Sequence, residues 1–160
     1  QDQGVTPYNL RNCAYYPDFD KEKVVWIELV DQSRFCIVPA GMFTLQTTYM
    51  FNSNQVKVFT GILNSSLINW YFDKICAKSG VGTNRWLKIY VEQIPVVKFT
   101  PKNSSTVDTI YKVVDKILST KKADQNADTT TLESEIDQLV SKLYGLTKQE
   151  IKIVAESVRN

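Results

Sequence analysis

Four cationic side chains surround a glycine-containing segment in the middle of the chain: Lys74, Lys78, Arg85 and Lys88. The stretch 76–88, "CAKSGVGTNRWLK", contains no carboxylate. Residues 73–102 hold six Lys or Arg and only two Asp or Glu, although the net charge of the whole chain is +2. Because Lys and Arg neutralise phosphates and supply affinity for nucleic acids, the segment predicts a polyanion-binding surface. A solvated surface without a ligand is the alternative.

The same segment carries side chains that can read base edges. Asn and Arg make paired hydrogen bonds to adenine and guanine in the major groove, and we favour Asn84 and Arg85 as the functional pair. Trp86 is expected in the core, and the glycines can serve either close approach to a ligand or turn geometry. The predicted DNA-contacting residues of the segment are Lys78, Ser79, Gly82, Thr83, Asn84, Arg85 and Lys88.

Several kinds of chemistry are excluded or disfavoured by composition. The chain has no histidine, so histidine-dependent nucleophile activation and general-base catalysis cannot occur within it. Its three cysteines lack C-x-x-C spacing, which disfavours a zinc site or a disulfide framework. The glycines 80 and 82 follow a predicted helix and precede a predicted strand, the reverse of the order in phosphate-binding loops. Asp18 with Glu22 or Glu28 lacks the lysine spacing expected of a nuclease.

The elements around the segment are predicted from residue periodicity. Residues 23–30, 34–39, 42–51 and 86–97 are rich in β-branched and aromatic residues and predict strands. The first three should be successive antiparallel strands, joined by hairpin loops at 31–33 and 39–41. Residues 54–76 show helical spacing in two pieces, and Ser65 or Ser66 can cap the second.

The remainder of the chain predicts helices at about 106–120, 131–144 and 147–158, with a mobile linker at 119–131. Thr130 with Glu133 and Thr147 with Glu150 match capping boxes, and Gly145 suits a helix C-terminus. The fold class is therefore α+β: a target-binding domain at 1–102 with a mixed or antiparallel β-sheet and helices, followed by a C-terminal helical region at 103–160. We expect that region to pack on the first domain.

The order of these pieces resembles a known family. The segments that carry the resemblance are "YYPDFDKEKVVWIEL" (15–29), "RFCIVPAGMFTLQTTYMF" (34–51), "VFTGILNSSLINWYFDKIC" (58–76), "GVGTNRWLKIYVEQIPVV" (80–97) and "LESEIDQLVSKLYGLTKQEIKIV" (132–154). Together they look like the TaqI-like C-terminal specificity domain, the target-recognition domain of type IIG restriction–modification enzymes and related adenine-specific DNA methyltransferases. The resemblance extends over nearly the whole chain. Likeness to the related type I specificity subunits implies an alternative for the C-terminal helices, which would pair into a spacer instead of packing on the first domain.

The resemblance implies sequence-specific recognition of double-stranded DNA by a segment of a longer, cytoplasmic bacterial protein. The fragment should be catalytically inert, because the "NPPY"-type methyltransferase motif is missing from it. We also expect it to be monomeric. Its partner would be the methyltransferase domain of the same polypeptide. S-adenosylmethionine, and Mg²⁺ if the parent also cleaves DNA, would bind outside this chain, which itself needs no cofactor or metal. Arg34, Thr47 and Thr48 are further candidate DNA contacts, since they lie at strand edges that could line the same groove.

Two other functions stay open at this point. A protein-interaction module would act through the C-terminal helices without DNA contact. A small enzyme based on carboxylates or lysine would need a closed pocket. The sequence contains no apolar run of about 18 residues, so no membrane contact is expected.

Overall fold

A computed structural model describes residue 6 and residues 14–45, 47–80 and 83–157. A 3₁₀ turn covers Tyr16–Asp20. The strands are β1 (Lys23–Ile27), β2 (Leu29–Val30), β3 (Cys36–Val38), β4 (Thr48–Asn52), β5 (Lys78–Ser79) and β6 (Thr83–Arg85). The helices are α1 (Val56–Leu63), α2 (Ser66–Ile75), α3 (Lys88–Val91), α4 (Ser104–Ala123), α5 (Thr130–Tyr144) and α6 (Lys148–Ser157). The α+β fold class is confirmed.

The first sheet has the strand order β3-β1-β4, and β1 is antiparallel to both neighbours. β3 and β4 therefore run parallel to each other, and the connection between them crosses from one side of β1 to the other. The predicted hairpin at 39–41 is wrong, because those residues begin this crossover. A hairpin needs adjacent antiparallel strands, and the sequence does not show that β1 separates β3 from β4.

The predicted strand 23–30 is interrupted at Glu28. β1 stays in the first sheet, whereas β2 joins a second sheet of order β2-β6-β5. The predicted loop at 31–33 lies between strands of different sheets, so it does not close a simple hairpin. The break at Glu28 thus links the protein core to the glycine segment.

Both predicted helical pieces within 54–76 are confirmed. Ser65 is the N-cap of α2, and its side chain accepts a hydrogen bond from the Ile68 N–H. The apolar residues of α1 and α2 join a core cluster that also contains Val24 and Trp26 from β1 and Trp86 beyond β6. The expected core position of Trp86 is confirmed: it is 1% exposed and stacks on Phe72 with ring centroids 3.6 Å apart.

The predicted strand at 86–97 is wrong. β6 ends at Arg85, and α3 follows from Lys88 to Val91. Alternating apolar residues in a short run fit either a strand or a helical turn, so the pattern could not decide between them. Lys88 and Glu92 form an ion pair four residues apart, a spacing that a helix brings together.

The three C-terminal helices are confirmed, and they pack on the helices of the preceding region. α4 contacts α1 and α5, while α6 contacts α2. The predicted linker is too long, because α4 continues to Ala123. The cap of α5 is also shifted: Thr129, not Thr130, donates to the Glu133 carboxylate (2.6 Å).

Candidate nucleic-acid interface

The glycine segment forms a β-hairpin. β5 pairs with β6 in the register Lys78–Asn84 and Ser79–Thr83, and Gly80 at the turn has φ +63°, a conformation that favours glycine. β6 also pairs with β2, so the hairpin is attached to the chain that leaves the core at Glu28. The predicted contact Gly82 lies outside the described residues.

Strand alternation divides the predicted DNA contacts between two faces of the hairpin. Paired residues on neighbouring strands share a face, and successive residues on one strand alternate. Ser79, Thr83 and Arg85 therefore share one face, whereas Lys78 and Asn84 share the other. The sequence suggested one surface for all of them, and the hairpin register separates them.

Asn84 is turned into the protein. It is 6% exposed, and its Nδ2 donates to the Asp31 carbonyl (3.3 Å). Its Oδ1 is also buried, with no hydrogen-bond partner among the described residues. In this conformation Asn84 supports the loop that carries Arg34. A base contact would require the amide to turn outward.

Each described cation among the predicted contacts has a carboxylate partner from outside the stretch 76–88. The pairs are Lys78 with Asp73, Arg85 with Glu28 (2.6 Å), Arg34 with Asp31 (3.1 Å) and Lys88 with Glu92 (3.5 Å). The hydrogen bond from Lys78 lowers the pKa of Asp73, and that from Arg34 lowers the pKa of Asp31. The local positive charge is therefore largely compensated, which the sequence pattern did not show.

The Arg85–Glu28 pair differs from the others in its geometry. The Nε and Nη2 of Arg85 both donate to Glu28 Oε1, at 3.3 and 2.6 Å. Glu28 raises the pKa of the Arg85 guanidinium through this hydrogen bonding and through its charge.

An open groove of about 990 Å³ lies between β4 and the α3 region. One wall is β4, with Thr48, Tyr49 and Phe51, and the other contains Lys88 and Glu92. Lys88 and Thr48 line this groove, whereas Arg85 does not; Arg85 pairs with Glu28, which follows Ile27, the β1 residue opposite Thr48. Thr47 precedes β4 and is exposed, whereas Arg34 lies on the loop that Asn84 supports.

One comparison with known proteins decides the family. The model of the TaqI-like C-terminal specificity domain matches residues 5–96, more than half of the chain. The chain belongs to this family. Membership assigns it to a non-catalytic specificity domain and indicates a role in DNA target recognition for restriction–modification. No curated protein matches the chain significantly.

Two asparagines, Asn64 after α1 and Asn69 in α2, hold the loop between β2 and β3. Asn64 bonds both backbone groups of Phe35, accepting from its N–H (2.9 Å) and donating to its carbonyl (2.8 Å). Asn69 accepts from the Ser33 N–H (2.6 Å) and donates to the Ser33 hydroxyl (2.7 Å). We did not single out Asn64, Asn69 or Glu28 from the sequence as site residues. We call the hydrogen bonds between Asn64 and Phe35 and between Asn69 and Ser33 the loop clamp. The available sequence signal for it was the presence of two asparagines near a helix junction.

Other kinds of site are not found in the described part of the chain. No group of three or more Cys, Asp or Glu residues there is arranged to hold a metal ion. None of its helices has the length and apolar character needed to cross a membrane.

Proposed function

We propose that this specificity domain recognises a defined sequence in double-stranded DNA and positions it for an N6-adenine methyltransferase domain of the same parent polypeptide. The observation that carries the proposal is the family match over residues 5–96. The geometry supports it through a groove lined by Lys88 and Thr48, and through Arg85, whose partner Glu28 follows the β1 residue opposite Thr48.

In this proposal the chain supplies register and selectivity, and the parent supplies chemistry. Lys88 and Arg34 exchange their carboxylate partners for backbone phosphates, while Arg85 faces a base edge. Holding the duplex in one register lets a catalytic domain extrude the target adenine from the stack. S-adenosylmethionine would bind in that catalytic domain, and the parent acts in the bacterial cytoplasm.

Fluorescence anisotropy with a labelled duplex tests the proposal, with Lys152 as a matched control for Lys88. Each lysine pairs with a glutamate four residues later, at 3.5 Å for Lys88 and 3.7 Å for Lys152. Lys88→Ala should weaken binding and reduce the slope of log affinity against log salt by about 1, because one phosphate contact is lost. Lys152→Ala should leave both unchanged. Equal losses of affinity in the two variants, or no duplex binding by the unsubstituted chain at low salt, would overturn the proposal.

Interaction through the C-terminal helices without DNA contact is the competing function. The apolar stripes predicted for it are largely used within the chain, since Ile110 and Val114 of α4 and Ile136 and Val140 of α5 are buried in the core. Binding to duplex DNA separates the two functions directly.

A further inference from the structure

Glu28 occupies a fixed position beside the hairpin. It lies at the break between β1 and β2, and its carbonyl accepts the Trp86 N–H at 2.7 Å. The Glu28 side chain is 23% exposed, against 44% for its partner Arg85. The hydrogen bond from the buried Trp86 holds the Glu28 backbone next to β6. The Glu28 carboxylate therefore has little freedom to leave Arg85.

The hydrogen bonds to Glu28 use one edge of the Arg85 guanidinium. A guanidinium has five N–H donors in a rigid plane, and Glu28 Oε1 accepts from Nε and Nη2. The N–H groups on the end of the fork, from Nη1 and Nη2, point away from Nε; Nη1 donates to no described residue, and the side chain is 44% exposed. Two such parallel donors match the O6 and N7 acceptors of guanine in the major groove.

The other cations among the predicted contacts are not held in this way. Lys88 and Arg34 pair with residues four and three positions away, on exposed local segments. Lys78 presents an ammonium, which rotates freely and binds as a point charge. Only Arg85, among the described predicted contacts, combines a planar donor set with a carboxylate from a distant part of the chain.

We propose that Glu28 is a positioning residue that fixes the plane of Arg85 for end-on, two-hydrogen-bond recognition of a guanine within the target site. Glu28 itself touches no base. It also offsets the charge of Arg85, so that this residue adds selectivity for guanine rather than unselective attraction to phosphate. The inference rests on the proposed function and names a base that the same surface reads.

Selection of bound duplexes from a randomised library, followed by affinity measurements on the selected site, tests this role. Glu28→Ala removes both the acceptor and the charge, whereas Glu28→Gln removes the charge and keeps a side-chain oxygen. Asp73→Asn is the matched control, because it removes a carboxylate beside Lys78 on the opposite face of the hairpin. Circular dichroism checks that each variant is folded.

The unsubstituted chain should select a site that contains a guanine. Glu28→Ala should lose about tenfold or more of the discrimination at one guanine position, and Glu28→Gln should retain part of it. Asp73→Asn should gain unselective affinity but keep the guanine preference. Arg85→Lys retains the charge without the planar fork, and should lose the preference even if Glu28→Ala does not fold.

Two results would overturn the positioning role and leave the proposed function intact. One is unchanged guanine discrimination in Glu28→Ala, or in Arg85→Lys if Glu28→Ala does not fold. The other is an equal loss in the Glu28 variants and Asp73→Asn, which would assign the effect to charge alone. Selection of a site that contains no guanine would refute the base assignment. If the unsubstituted chain binds duplex DNA without selecting any sequence, both the proposed function and the positioning role of Glu28 fail.

Discussion

At the scale of single residues, side-chain amides rather than charges hold the loop next to the hairpin. Asn69 accepts from the Ser33 N–H and donates to both the Ser33 hydroxyl and the Ser65 carbonyl. Ser33 is buried, so its polar groups depend on these partners. Arg34 is the next residue in the chain, so its position depends on Asn69.

Replacement of Asn69 by alanine should reduce the free energy of unfolding by about 1–3 kcal/mol, because the Ser33 groups lose their partners in a buried setting. Asn54→Ala, at an exposed position before α1, is the control and should change it by less than about 0.5 kcal/mol. Urea unfolding of the two variants measures the difference. Equal stability of both would show that the clamp on Ser33 contributes nothing.

At the scale of elements, Gly61 sets the distance between α1 and α4. A Cβ at this position would lie 2.8 Å from Val114 Cγ2 and 3.1 Å from Ile110 Cγ2. The two helices can approach this closely only because residue 61 has no side chain. The glycine at position 61 is thus explained by packing rather than by backbone conformation.

Gly61→Ala should lower the free energy of unfolding despite the better helix propensity of alanine. Overpacking costs about 1–3 kcal/mol, while the propensity gain is at most about 1 kcal/mol. Val114→Ala removes the contacting methyl group, so the double variant should lose less than the sum of the two single losses. Strict additivity in urea unfolding would contradict the contact.

The stability of the N-terminal cap of α6 should depend on pH. The Thr147 N–H and hydroxyl both donate to Glu150 Oε2, at 2.7 and 2.8 Å, and these bonds hold the Glu150 pKa below its usual value of 4.5. A lowered folded-state pKa stabilises the cap above pH 4.5, and this contribution is lost as the pH falls through the folded-state value. Amide exchange at the start of α6 should accelerate in that acidic range, and Glu150→Gln should reduce the change. A pH-independent exchange rate in the native chain would contradict the capping box.

Local elements were predictable from the sequence and long-range pairings were not. The helical spacing of α1 and α2, the Ser65 cap and the Thr147–Glu150 box each involve residues within a few positions of one another. The exchange of β2 between sheets and the Arg85–Glu28 pair involve residues far apart in sequence, and composition carries no information about them. The short run 86–97 failed for a different reason, since its periodicity fits a helix and a strand equally.

At the scale of the whole molecule, each Lys and Arg of the stretch 76–88 is paired with a carboxylate from outside that stretch. Carboxylates from α2, from the break after β1 and from the residue after α3 pair with Lys78, Arg85 and Lys88. These pairs leave no uncompensated cation in the described part of the stretch 76–88. Unselective DNA binding should be weak, and affinity should depend on the contacts that one particular sequence allows.

Titration of the ¹⁵N-labelled chain with a selected duplex, followed by two-dimensional NMR, identifies the residues that contact DNA. We expect the amide shifts to concentrate at residues 83–88, 31–34 and 47–48 and to decline when salt is raised. Shifts confined to α4 and α6, with none at the hairpin or the neighbouring groove, would contradict this expectation.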